Sequence, residues 1–155
     1  MPSVCLYCEI PEKFHDLFPE DRGGNDNSPP HITVLYIGDV PEENIDSIVK
    51  ICADVAQKFT PIECEFGEVD TFPNGVYGVP HIVHIIASKE LESLHHLLWG
   101  LIQKSGLDVE HRFTYNPHTT LKYLPEGKKY NGKIPKGKFT VDSLIVSVFK
   151  EKDER

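Results

Sequence analysis

At 155 residues, 39% apolar and 26% charged, the chain has the composition of a folded globular domain and too many apolar residues for a disordered one. No apolar run approaches the roughly 20 residues of a membrane span. The net charge of −8 argues against a general nucleic-acid coat protein, which binds by neutralising phosphates.

One domain is expected over residues 1–155. Ser3 to Ile10 is apolar and β-prone, the first strand. Residues 11–30 are dense in Pro, Gly, Asn and Asp, a loop long enough to serve as a lid. His31 opens a second strand that runs to about Ile37, where Gly38 breaks it. Asp39-Val40-Pro41-Glu42 reads as a helix start with Asp39 as N-cap. Ile45, Ile48, Val49, Cys52, Val55, Ala56 and Phe59 follow at helical spacing, which predicts an amphipathic helix over 41–58. A strand over Ile62 to Val69, a turn at Phe72-Pro73-Asn74-Gly75 and a strand over Val79 to Ala87 come next. Ser88 is placed to cap a second helix with an apolar stripe of Leu91, Leu94, Leu98, Leu101 and Ile102, ended by Gly106. His118 to Leu124 and Phe139 to Phe149 are the last strands, the final one long.

Four scattered cysteines (Cys5, Cys8, Cys52, Cys64) do not make a disulfide scaffold, and Met1 to Ile10 shows no secretory pattern. A reducing, cytoplasmic setting with free thiols is expected. Charge is uneven along the chain. Residues 122–138 carry six lysines against Glu126 alone, a local balance of +5 that leaves −13 on the remainder. That segment is either an attractor for a small anion or a solvated loop.

One heptapeptide occurs twice. Pro30-His31-Ile32-Thr33-Val34-Leu35-Tyr36 returns 87 residues later as Pro117-His118-Thr119-Thr120-Leu121-Lys122-Tyr123. In a strand His31 and Thr33 share one face, as do His118 and Thr120, while Ile32, Val34, Thr119 and Leu121 anchor the other. Proline suits the entrance of a strand, so each histidine stands where it can face a cleft. By the same alternation Lys122 shares the face of His118 and Thr120, as an anion contact or a solvent-facing lysine. Tyr36 and Tyr123 fall on the opposite face, with the core. Tyr7, in the first strand, packs or stacks a base.

Each half of the chain offers a strand, a connection, the motif strand and a further strand, which suggests a degenerate repeat: two α+β lobes about a pseudo-dyad, one motif from each. Two imidazoles flanking one phosphorus supply both proton transfers that phosphodiester cleavage needs, one neutral ring accepting and one protonated ring donating. The Thr33 and Thr120 hydroxyls are suited to the non-bridging oxygens. No metal is required. The other histidines fit less well: His81 and His84 lie on opposite strand faces, and His95 and His96 diverge on a helix, one beside the core and one in water. Cys5 and Cys8 have zinc-knuckle spacing, but a strand splays their thiols and no second pair follows.

The paired His31-Ile32-Thr33-Val34 and His118-Thr119-Thr120-Leu121 resemble the signatures of the two-histidine (2H) phosphoesterase superfamily. It includes bacterial 2′-5′ RNA ligase-like proteins, cyclic phosphodiesterases, and viral enzymes acting on 2′-5′ oligoadenylates or cyclic-nucleotide signals. The resemblance implies an α+β fold of two pseudo-symmetric lobes of antiparallel sheet with flanking helices and a central cleft. It implies catalysis without metal or cofactor by His31, Thr33, His118 and Thr120. The substrate would be a small nucleotide or an oligonucleotide with 2′-5′-linked or cyclic phosphodiesters. A monomer, off the membrane, in the cytoplasm of a bacterial or virus-infected cell is expected. The other class of function is a non-catalytic binder holding a nucleotide or RNA end in the same groove. Both motifs are complete, which favours the enzyme.

Overall fold

The computed structural model describes residues 1–23, 29–87, 89–109 and 115–150. Within them, seven strands and two helices follow in the order β1 (Ser3–Glu9), β2 (His31–Asp39), α1 (Ile45–Gln57), β3 (Ile62–Thr71), β4 (Val79–Ala87), α2 (Glu90–Lys104), β5 (His118–Leu124), β6 (Lys138–Val141) and β7 (Ile145–Phe149). All strand pairs are antiparallel, in two sheets ordered β2-β1-β7 and β5-β4-β3-β6. This is an α+β, two-lobed architecture. No described helix is long and apolar enough to cross a membrane.

The repeat has a feature the sequence does not announce. β2-β1-β7 matches β5-β4-β3 in topology: a motif strand, its preceding neighbour, and one more strand. That third strand always comes from the other half of the chain. β3 leaves the first motif to enter the second sheet, and β7 leaves the second motif to close the first. Each lobe is therefore completed by the other.

The run expected as one strand over Phe139 to Phe149 is two. Phe139 pairs with Cys64 in one sheet, whereas Ile145 pairs with Tyr7 in the other. Asp142 and Ser143 carry the crossing, and with no Gly or Pro there the apolar pattern runs through it. The start of α1 also differs. Asp39 ends β2, and Glu42–Asn44 form a 3-10 turn before α1 begins at Ile45 without a side-chain cap. Glu42 instead takes Lys150 Nζ at 2.7 Å. Ser88, expected as the cap of α2, lies outside the described residues. Gly106 ends α2 with φ of +102°, the left-handed position that favours glycine.

Burial follows the predicted stripes closely. Ile48, Cys52 and Val55 of α1 and Leu91, Leu94, Leu98 and Ile102 of α2 are buried, although Val49 is 45% exposed. They join Val4, Leu6, Ile32, Val34, Val83 and Leu121 from both sheets in one continuous core. The segment after β1 is anchored rather than loose in its described part. Glu12–Leu17 form a 3-10 helix, and Phe14 and Phe18 set their rings against Phe66 and Phe139 at 5.6 to 6.2 Å. Leu98 has no exposed surface, so Leu98→Ala leaves a cavity between α2 and the sheets. Its expected cost is about 3 kcal/mol, measured as a lowered urea midpoint with an unchanged m-value.

Candidate active site

Both motif strands carry the same irregularity at the same place. In the first sheet Tyr7 faces Thr33 and Leu6 faces Leu35, so Val34 has no partner in the register. In the second, Ile82 faces Thr120 and His81 faces Lys122, so Leu121 has none. The extra residue is in each case the aliphatic one after the threonine. A bulge of this kind inserts one residue and resets the alternation beyond it. Val34 and Leu35 are accordingly buried in succession.

That reset corrects three expectations. Tyr36 stands opposite Cys5, on the face of His31 and Thr33, and is 63% exposed. Tyr123 stands opposite Pro80, on the face of His118 and Thr120, with its ring 5.7 Å from Tyr77. Lys122 is turned to the other face, opposite His81, and is not a neighbour of Thr120 on the motif face. Simple period-two counting fails after a bulge.

The two histidines are held by one device used twice. His31 Nδ1 donates to the carbonyl of Pro29 at 2.9 Å, and His118 Nδ1 to the carbonyl of Asn116 at 2.8 Å. A carbonyl only accepts, so Nδ1 carries the hydrogen and Nε2 is left as the proton-handling nitrogen of the neutral ring. Pro29 and Asn116 each precede a proline, which restricts their backbone to extended conformations and steadies those carbonyls. Pro30 and Pro117 do more than open a strand. Their own carbonyls accept from Ile10 and Ile85 at 3.1 and 3.0 Å, fastening each motif to the end of the neighbouring strand.

An aromatic ring backs each imidazole. Tyr7, 8% exposed, stacks on His31 with centroids 4.1 Å apart. Phe72 meets His118 edge-on at 4.7 Å. Tyr7 thus supports the His31 ring. Phe72, read from the sequence as a turn residue, comes to His118 because β3 passes beside β4, a placement that depends on pairing and leaves no local signal.

β2 and β5 belong to different sheets yet lie against each other. At the Val34 bulge β2 is also held by α2 and by the residue that leads toward β5. Tyr115 Oη donates to the Thr33 carbonyl at 2.8 Å and His95 Nδ1 to the Val34 carbonyl at 2.6 Å. The His95 and Tyr115 rings stack at 4.5 Å. His95 is buried beside the core and His96 is exposed, as their helical positions predict.

The site is electrostatically uneven. Burial pushes the His118 imidazole below the usual histidine range; its bond to Asn116 acts the other way, and the charges of His84 and His31 push it further down. His84, opposite His118 in the ladder, donates Nε2 to Asp70 Oδ2 at 2.8 Å. His81 faces away and is 6% exposed. Among the described residues no three His, Cys, Asp or Glu side chains gather as a metal site. Burial pushes the Cys8 thiol up to about 12, and those of Cys52 and Cys64 to about 11, which keeps them protonated.

The chain is similar to known proteins. A Bacillus subtilis RNA 2′,3′-cyclic phosphodiesterase is 30% identical over 93 residues, which cover 59% of this chain and 49% of that protein. The matched stretch thus spans about half the length of the curated relative. Two solved structures share the fold at 14% identity. Escherichia coli LigT complexed with 3′-AMP has a TM-score of 0.66 over 100% of this chain and 92% of its own. The Thermus thermophilus protein TT0787 has a TM-score of 0.72 over 93% and 86%. The model of the 2′-5′ RNA ligase superfamily matches residues 18–153, a span that holds both His-x-Thr strands and every element from β2 to β7. The chain belongs to the 2′-5′ RNA ligase superfamily.

Proposed function

We propose that this protein is a phosphodiesterase that opens cyclic or 2′-5′-linked phosphodiesters of RNA-like nucleotides by acid–base catalysis between His31 and His118. The observation that carries this reading is the doubled tether. Two imidazoles on adjoining strands each have Nδ1 committed to a carbonyl, and each has a threonine two residues on, on the same face. The B. subtilis relative supports a 2′,3′-cyclic phosphate as the first substrate to try. The 3′-AMP held by LigT supports a nucleotide ligand.

The environment divides the labour. His118, driven toward its neutral form by burial, takes the proton from the attacking water. His31 in its protonated form donates to the departing ribose oxygen. Thr33 and Thr120 give their hydroxyl hydrogens to the non-bridging oxygens as negative charge builds on them. Water adds to phosphorus, the ribose oxygen leaves with a proton, and a phosphomonoester results from a cyclic substrate. Both proton transfers and the charge stabilisation come from side chains, so the reaction runs without a metal.

The test is a panel of 2′,3′-cyclic phosphates, 2′-5′ oligoadenylates and cyclic dinucleotides, incubated with protein in EDTA. Turnover is expected with undiminished rate in the chelator. His31→Ala and His118→Ala should each lower kcat/KM by about 10²- to 10⁴-fold while circular dichroism stays unchanged. Thr33→Val and Thr120→Val, nearly isosteric, should each lose on the order of 100-fold in kcat. Tight binding of these ligands with no turnover would replace the enzyme by a nucleotide binder. The rate should rise as pH climbs through the depressed His118 value and fall as His31 loses its proton. The acidic limb is thus expected below the ordinary histidine range.

A further inference from the structure

The residue facing each motif histidine across its ladder differs in character. Glu9 is opposite His31, and His84 is opposite His118. Directly opposed residues on one sheet face are close enough for their side chains to interact. A neighbouring negative charge favours an imidazolium and a positive one disfavours it. The two halves of a symmetric motif are therefore set in unlike fields.

His84 is held firmly. Its Nε2 meets Asp70 Oδ2 at 2.8 Å and its Nδ1 the side-chain amide oxygen of Asn116 at 3.3 Å. With an oxygen acceptor at each nitrogen, the ring is arranged to donate from both. Asn116 serves two rings at once: its side chain takes His84, and its main-chain carbonyl takes His118 Nδ1. Phe72 closes the group, 4.7 Å from His118 and 6.3 Å from His84. Among the described residues, the ionisable groups that face His84 are Asp70 from β3 and His118 from β5; Asn116 and Phe72 are uncharged. The hydrogen bond from His84, with that from the Thr71 amide, holds the Asp70 carboxyl below its usual range.

We propose that His84, clamped between Asp70 and Asn116, is a positioning residue that fixes the orientation and charge state of His118, and so decides which motif histidine accepts the proton. The assignment of His118 as proton acceptor rests on the function proposed above; the coupling between the two rings does not. The charge of His84 already counts among the influences that lower His118.

The coupling is read in ligand-free protein by NMR titration of the His118 ring. In His84→Gln the midpoint of His118 should move up by about half a pH unit. In His84→Lys, which keeps a positive charge, it should stay near the wild-type value. A midpoint unmoved or lowered in His84→Gln, or an equal rise in both variants, would overturn the proposal. Where His84→Gln does not fold, His84→Asn is read in its place and the same outcomes decide. If the coupling is found in a protein that turns over no phosphodiester, the enzymatic reading fails and this one stands. Where turnover is found, the acidic limb of kcat/KM should shift upward with the NMR midpoint.

Discussion

Two strands that belong to different sheets have no ladder to align them, yet the proposed chemistry requires their histidines to face one phosphorus. Here the alignment comes from two donors. Tyr115 and His95 reach from the second half of the chain to the adjacent carbonyls of Thr33 and Val34. Those carbonyls are both free to accept because the ladder slips at Val34, so the bulge is a docking feature as well as an irregularity. The donors brace each other by stacking, and burial pushes the Tyr115 hydroxyl's pKa up, so it remains a donor. A buried carbonyl left without a partner costs about 1–3 kcal/mol, which holds β2 in place against α2 and the residue that leads toward β5. The tethered rings, the threonines and the cleft are all referred to this one joint.

Symmetry in the sequence and asymmetry in the chemistry are reconciled one layer outward from the motifs. Inside the heptapeptides the copies share the same frame: each has the proline, the Nδ1–carbonyl bond, the threonine and the bulge. The differences lie in what the neighbouring strand supplies. β1 offers Tyr7 and Glu9 to His31, whereas β4 and the segment after β3 offer His84 and Phe72 to His118. A proton relay needs one ring charged and one neutral at the same pH. Identical motifs in identical surroundings would titrate together and rarely meet that condition. Divergence around a preserved motif is thus what a duplicated site needs in order to work.

What is legible in the sequence is whatever the chain writes locally. The strand frames, the α2 stripe and the doubled His-x-Thr depend on residues within a few positions of each other, and they stand where period and turn chemistry put them. The differences share another origin. Counting in twos assigns faces to Tyr36, Tyr123 and Lys122, and one inserted residue inverts all three. The break at Asp142 and Ser143 is hidden because Leu144-Ile145-Val146 resumes the apolar pattern in a different sheet. Asp70, Phe72 and His84 carry no local mark as companions of His118, since their proximity is a matter of register between strands far apart in sequence. Of the segment expected as a lid, the described part is tied down by Phe14 and Phe18, whose partners Phe66 and Phe139 belong to β3 and β6.

The exchange of third strands explains why a cleft between lobes can stay a fixed distance wide. If each half of the chain closed its own sheet, the lobes would meet only at a surface, and interfaces of that kind permit relative motion. Here β3 and β7 cross in opposite directions, and the core runs unbroken from Val4 and Leu6 through α2 to Val83 and Leu121. Opening the cleft would strain both crossings and expose buried apolar surface at about 25 cal/mol per Å². A relay between two imidazoles tolerates little drift, because misplacement by about 1 Å costs on the order of 100-fold in rate. The topology that looks redundant, each lobe borrowing a strand from the other, therefore works with the Tyr115 and His95 hydrogen bonds to hold the two small sheets at a fixed separation.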